Sequence, residues 1–354
     1  MSGKILFMRK ILFALFFPVF LFAQIPDYYL GIDFDQTGDD LKEDLIALVI
    51  ATHSVDLTYT PDVWNALKEI DLDPENSDNV LLIYGFDDAS SDVTEHRSRN
   101  VDDSCHTSNC NGLWVREHTY PKSLGNPNLG TTGPGADAHH LRPIDNQRNN
   151  TRSNRAFADG TGMSSYVTPT GLFYPGQEWK GSIARMMMYM HIRYGQRTPA
   201  NTVGSGPNTY SVEMPDLFLK WNAENPPTEP EWVRNTVLQD LQGNRNPFID
   251  NPYLATVVWG GPDADNYWIE MTTTEVEELN TQVYPNPAKS KVTIQSNKNI
   301  ESLSLYSMTG QSIFSQKKFN TYEFDVSAIE KGTYLLLIYY TDKTKESKKL
   351  MILH

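Results

Sequence analysis

The chain has 354 residues, 39% of them hydrophobic and 21% charged, which excludes a disordered polymer and suits one large or two ordinary globular domains. Its formal net charge of −14 is opposite to the broad basic footprint of a protein that holds nucleic acid by its phosphates alone; any such activity needs a local basic cleft and cations. The charge is uneven, with +3 on residues 1–23 and +4 on residues 282–354, leaving −21 between them.

Lys4, Arg9 and Lys10 precede an apolar run over 11–22, broken only by Pro18 and ending at Ala23-Gln24. This reads as a signal peptide over 1–23, because the run is shorter than the roughly 20 residues that span a bilayer. No later segment reaches that length, so no membrane span is expected.

Leu41, Leu45, Leu48, Val49 and Thr52 recur at helical spacing behind Asp40-Leu41-Lys42-Glu43, which predicts a capping box and a helix over 41–52. Thr60 and Pro61 start a second helix carrying Trp64 and Leu67 on one face, and 80–84 is a short buried-strand candidate. From 87 to 159 periodicity fades into Asp, Asn, Ser, Gly, Arg and His, the kind of segment in which function concentrates. Within it, Cys105 and Cys110 are expected to form a local disulfide after export; the alternative is a zinc site with His106, which lacks a clear fourth ligand.

Beyond that segment, Ile183, Met186, Met187 and Met190 mark the core-facing stripe of a helix over 181–194, where methionine serves packing. A Pro-rich connection over 225–230 leads to a helix over 231–241, with Gly243 as its C′ residue. The acidic stretch 272–281 contains no aromatic residue and closes this region.

Three segments carry chemistry: Trp114-Val115-Arg116-Glu117-His118-Thr119-Tyr120-Pro121-Lys122-Ser123, Asp137-Ala138-His139-His140-Leu141-Arg142-Pro143 and Asn149-Asn150-Thr151-Arg152-Ser153-Asn154. Phosphodiester hydrolysis needs a base for the attacking water and charge stabilisation on the phosphoryl group. His118 suits the base, since imidazole titrates nearest neutrality. Glu117 and Asn149 offer the hard oxygens that Mg²⁺ prefers. Arg142 and Arg152 are candidates for the transition-state charge, and Arg116 and Lys122 for substrate phosphate. A helix over 146–157 would put Asn149, Arg152 and Ser153 on one face. Neighbouring Glu117 and His118 point oppositely on a regular strand, so a bend between Gly112 and Pro121 is expected. His139 and His140 read as structural braces rather than cleft residues, and 243–250 as an architectural loop.

The order Trp-x-Arg-Glu-His-Thr-Tyr-Pro-Lys-Ser, Asp-x-His-His-Leu-Arg-Pro, Asn-x-x-Arg-Ser-Asn resembles the endonuclease I family of His-Me finger (ββα-metal) nucleases. The resemblance extends through Trp179-Lys180-Gly181-Ser182 and Gly243-Asn244-Arg245-Asn246, covering about 28–261. It implies His118 as general base, Glu117 and Asn149 as Mg²⁺ ligands with Mn²⁺ or Ca²⁺ as substitutes, and cleavage of DNA and often RNA with little sequence preference, leaving 5′-phosphate and 3′-hydroxyl ends. Ala138 stands where the family commonly has Leu, and Asn251 where His is usual; neither is a proposed ligand.

After residue 281, β-rich runs alternate with turns, from Tyr284-Pro285-Asn286-Pro287 to Gly332-Thr333-Tyr334 and Lys348-Lys349, as in a small β-sandwich. This module resembles the C-terminal sorting domain of the type IX secretion system, which implies export by that machinery; a plain adhesive β-module is the bland alternative. The expected architecture is a signal peptide at 1–23, an α+β nuclease domain at 24–262, a linker at 263–281 and an all-β sandwich at 282–354. The expected protein is a secreted nuclease, against an inactive nucleic-acid or surface-binding protein on the same scaffold. A metalloprotease is disfavoured because no His-Glu-x-x-His occurs.

Overall fold

The computed structural model describes residues 25–268, 281–296, 298–307, 312–317, 322–341 and 345–353. The expected signal peptide and most of the expected linker lie outside these residues. What is described falls into two units, one ending before residue 271 and one following it.

In the first unit, helix α1 (Gly38–Thr52) buries Leu41, Leu45 and Val49 along one stripe. It starts at Thr37, earlier than the expected capping box, so Asp39 and Asp40 lie in its first turn, where the helix dipole favours carboxylates. Helix α2 (Asp62–Ile70) buries Trp64 and Leu67 as expected. Strands β1 (Leu72–Asp73), β2 (Asn76–Leu81) and β3 (Ser98–Asn100) make a small antiparallel sheet. The apolar run at 80–84 is buried throughout, but the strand stops at Leu81 and the chain turns at Tyr84, whose φ is +69°.

The region without periodicity folds around a hairpin. Strand β4 (Trp114–His118) pairs antiparallel with β5 (Leu141–Asp145) without a register shift, and β5 runs directly into helix α3 (Asn146–Arg152), which packs on both strands. Asp145 caps α3 by accepting from the backbone N–H groups of Gln147 and Arg148, which satisfies orphan donors of the first turn. The helix ends at Arg152, short of the expected 157, because Ser153 takes φ +53°.

Short strands β6 (Tyr166–Val167) and β7 (Phe173–Tyr174) precede helix α4 (Lys180–Tyr194), which is buried nearly all round, including Met186, Met187, Met188 and Met190. Helix α5 (Asp216–Glu224) packs against it. Helix α6 (Glu229–Gln242) begins at a capping box between Thr228 and Glu231 and ends at Gly243, whose φ of +94° suits the expected C′ glycine. Helices α7 (Pro247–Asp250) and α8 (Tyr253–Trp259) follow. The core continues to Trp268, packed 4.6 Å from Tyr29, so the unit outlasts the expected boundary at 262.

The second unit is all β. One sheet orders β11 (Ser312–Lys317), β10 (Ile300–Ser307), β13 (Gly332–Tyr340) and β14 (Lys345–Ile352); the other orders β12 (Glu323–Asp325), β9 (Lys291–Gln295) and β8 (Gln282–Tyr284). Val292, Leu303, Leu305, Leu336 and Leu350 share one core between the sheets.

Candidate active site on the hairpin and helix

The β4–β5 hairpin and the α3 helix border an open cleft of about 350 Å³, lined by Arg116, Glu117, His118, Lys122, Asn149 and Arg152 with Ser153 and Asn154. Six of the residues singled out in the sequence therefore meet. Glu117 is 3% exposed. Its Oε1 accepts from the Tyr84 hydroxyl at 3.1 Å and lies 3.3 Å from Arg152 Nε. Burial pushes this carboxyl up to about 7, against the opposing pull of Arg152 and Tyr84.

His118, the last residue of β4, lines the same cleft but has its own partner. Nε2 lies 2.9 Å from the Gly135 carbonyl oxygen. A carbonyl only accepts, so Nε2 carries the proton and Nδ1 keeps a lone pair. Burial, with His140 as the next cause, holds the imidazole down at about 3, so it is neutral at ordinary pH. Since the pairing from Trp114 to His118 has no bulge, the expected bend is absent; Glu117 faces Tyr84 and Arg152 while His118 turns to Gly135.

Asn149 stands on α3 with its side chain half-buried, facing the same cleft, and makes no side-chain hydrogen bond among the described residues. Lys122 lies in a short 3₁₀ turn at the rim. Arg116 donates to the Tyr59 carbonyl and the Thr60 hydroxyl and lies over the Tyr59 ring.

Residues 37–253 match the endonuclease I family. The chain belongs to the endonuclease I family. It is similar to the extracellular ribonuclease of Bacillus subtilis (strain 168), 37% identical over 262 residues that span 70% of this chain and 83% of that one. The extracellular ribonuclease of Bacillus amyloliquefaciens is 39% identical over 63% of this chain and 75% of its own. The periplasmic deoxyribonuclease of Aeromonas hydrophila is 29% identical over 32% of this chain and 47% of its own. Residues 282–353 match a secretion system C-terminal sorting domain. This endonuclease I relative is thus a nuclease, secreted or held at the cell surface, with a type IX sorting module at its C-terminal end. No helix among its described residues is long and apolar enough to cross a membrane.

Within this endonuclease I unit, two arginines differ from expectation. Arg142 pairs across the hairpin with Glu117 but does not line the cleft; its Nε sits 2.9 Å from Asp71, which also binds Arg234. Its guanidinium is buried beside that carboxylate. Arg152 lines the cleft, yet it is 1% exposed and its NH1 and NH2 donate to the Ser153 and Thr119 carbonyls at 3.0 and 2.6 Å. The fork is spent on the chain itself.

His139 and His140 are buried, bonded through Nε2 to the carbonyls of Asn244 and Pro134, the bracing role read from the sequence. Cys105 and Cys110 form a disulfide, which removes the thiolates of the alternative zinc site. Among the described residues no three His, Cys, Asp or Glu side chains gather as a metal site. Sequence reasoning missed Tyr84, Tyr59 and the Gly135 carbonyl. The positive φ at Tyr84 is invisible in sequence, and a backbone carbonyl leaves no residue signature.

Proposed function

We propose that this chain is a metal-dependent endonuclease that hydrolyses phosphodiester bonds of DNA and RNA with little sequence preference, leaving 5′-phosphate ends. The carrying observation is the His118 tautomer: Nε2–H is fixed on the Gly135 carbonyl, which leaves Nδ1 as the basic nitrogen of a residue that lines one cleft with Glu117 and Asn149. An antiparallel hairpin feeding one helix supports a ββα-metal, or His-Me finger, reading of this region.

His118 takes the proton of the attacking water through Nδ1. Its low proton affinity rises when a phosphodiester brings negative charge beside it. Glu117 and Asn149 fit a small hard cation: one buried carboxylate and one amide oxygen without a partner, the one or two protein groups that Mg²⁺ typically accepts. When bound there, the cation supplies charge stabilisation to the phosphoryl and leaving oxygens. Arg152 acts as a positioning residue that holds Glu117 and the end of β4. Arg116 and Lys122 provide positive charge at the rim of an otherwise acidic protein, where substrate phosphates settle. The unit is delivered outside the cell by a leader at 1–23 and the sorting module at 282–354. The similarity to extracellular ribonucleases and a deoxyribonuclease supports both nucleic acids as substrates.

The test is incubation of the mature protein with supercoiled plasmid and with single-stranded RNA, in Mg²⁺ or EDTA, beside His118→Ala. Degradation in Mg²⁺ that EDTA and the substitution both abolish is expected. Intact nucleic acid in Mg²⁺ and Mn²⁺ with a folded protein would instead favour a binding protein on this scaffold.

A further inference from the structure

A row of stacked side chains leads away from His118. The Tyr59 ring stacks on His118 with centroids 5.5 Å apart and planes at 28°. The Arg116 guanidinium carbon lies 3.5 Å from the Tyr59 ring centroid and 4.3 Å from that of Trp64. His106 closes the row, its ring 4.0 Å from Trp64 at 33°. Tyr59, Arg116, Trp64 and His106 line a second cleft of about 280 Å³, and Arg116 borders both this cleft and that of His118.

Several features make this a built surface. Arg116 is held by the Tyr59 carbonyl and Thr60 hydroxyl, which fixes its plane. The Cys105–Cys110 disulfide ties down the segment that carries His106, and His106 Nε2 is bonded to the Ser104 hydroxyl at 3.1 Å. Trp64 is buried beneath, whereas His106 is exposed and Tyr59 half-exposed, so both leave surface open to the cleft. Phosphate alone calls for Lys and Arg; aromatic and guanidinium planes beside one another recognise the face of a base. In a duplex that face is covered by the neighbouring pair. The cleft lies below the roughly 300–1,000 Å³ of sites that enclose a drug-sized ligand, a size for a single base.

We propose that the Tyr59–Arg116–Trp64–His106 cleft is a subsite for one unpaired nucleobase, on a nucleotide next to the cleaved phosphate, and that it makes the enzyme favour single strands over duplex. This rests on the nuclease reading of the adjoining His118 cleft.

The test is digestion by the full chain, in Mg²⁺, of an end-labelled single-stranded oligonucleotide of uniform sequence carrying one abasic nucleotide. Cleavage at a bond beside the abasic position is expected to fall about tenfold relative to the same bond in the intact strand, in line with the usual contribution of base–aromatic stacking. His106→Ala should raise KM for the intact strand by a similar factor with kcat little changed, and should add nothing at the abasic bond. His106→Phe, which keeps a ring on Trp64, should restore KM and shows that the loop still folds. Equal cleavage at every bond of the abasic strand, or equal rates on single strand and duplex, overturns the subsite while leaving the nuclease reading intact. No cleavage of any strand overturns that reading and the subsite with it.

Discussion

Arg152 Nε stands 3.3 Å from Glu117 Oε1 while the NH2 of the same guanidinium donates to the Thr119 carbonyl at 2.6 Å. One side chain from the end of α3 thus holds both the carboxylate and the backbone just past His118. Lysine keeps the charge but not the planar fork. Arg152→Lys is therefore expected to weaken activation by Mg²⁺ about 10- to 100-fold, as loss of an outer support commonly does. Arg152→Ala, which strands a buried carboxylate, should cost about 3–5 kcal/mol of stability. Metal titrations of cleavage rate and denaturant unfolding measure the two; wild-type Mg²⁺ dependence in Arg152→Lys would remove the bracing role.

Tyr84 offers a quieter test. Its hydroxyl donates to Glu117 Oε1 at 3.1 Å, and its buried ring packs edge-on against Phe173 with centroids 4.9 Å apart. Tyr84→Phe keeps the ring and loses only the donor, a change of about 1–2 kcal/mol. The apparent Mg²⁺ affinity should fall about tenfold with far-ultraviolet circular dichroism unchanged. A calorimetric titration with Mg²⁺ that matches wild type would show that this hydroxyl does not tune the carboxylate.

The stripe of Met186, Met187 and Met190, the turn at Gly243 and the alternation of the C-terminal strands were legible because each follows from one period or one backbone requirement. The residues of the cleft were legible as chemistry, since few arrangements bring Glu117, His118 and Asn149 into such short segments. Their division of labour was not. Arg142 and Arg152 read alike in sequence, whereas the structure buries one beside Asp71 and the other beside Glu117 at the cleft. The end of α3 was misplaced because Ser153 adopts φ +53°, a conformation that a serine code does not announce. The early start of α1 was missed because Asp40 is as acceptable in a first turn as at a cap.

His139 gives a pH dependence. Burial, only partly offset by Asp137, holds its folded proton affinity down at about 4 from the ordinary 6.5. Between those values the unfolded chain binds a proton that the folded chain refuses, so stability falls as pH drops through that window and is fully present above it. The contribution is about 3 kcal/mol. Thermal unfolding between pH 7.5 and 4 should show a falling Tm, with a shallower slope in His139→Gln; identical slopes would assign the effect to other groups.

The disulfide closes a loop with a sequence separation of five. On the chain-entropy account so short a loop contributes about 2 kcal/mol. Reductant, or replacement of both Cys105 and Cys110 by Ser, should lower Tm by several degrees. An unchanged Tm would show that the loop is held by other contacts.

Helix α4 keeps Met186, Met187, Met188 and Met190 at 2% exposure or less, while Met163 is 52% exposed. Outside the cell, peroxide converts accessible thioethers to sulfoxides, and each added oxygen makes an apolar side chain polar. Among the methionines of the described residues, Met163 is then a sacrificial site on the surface. Sulfoxide on α4 can form only after that core opens, so a peptide map of methionine oxidation would record how often an enzyme molecule had come apart during its life in the medium.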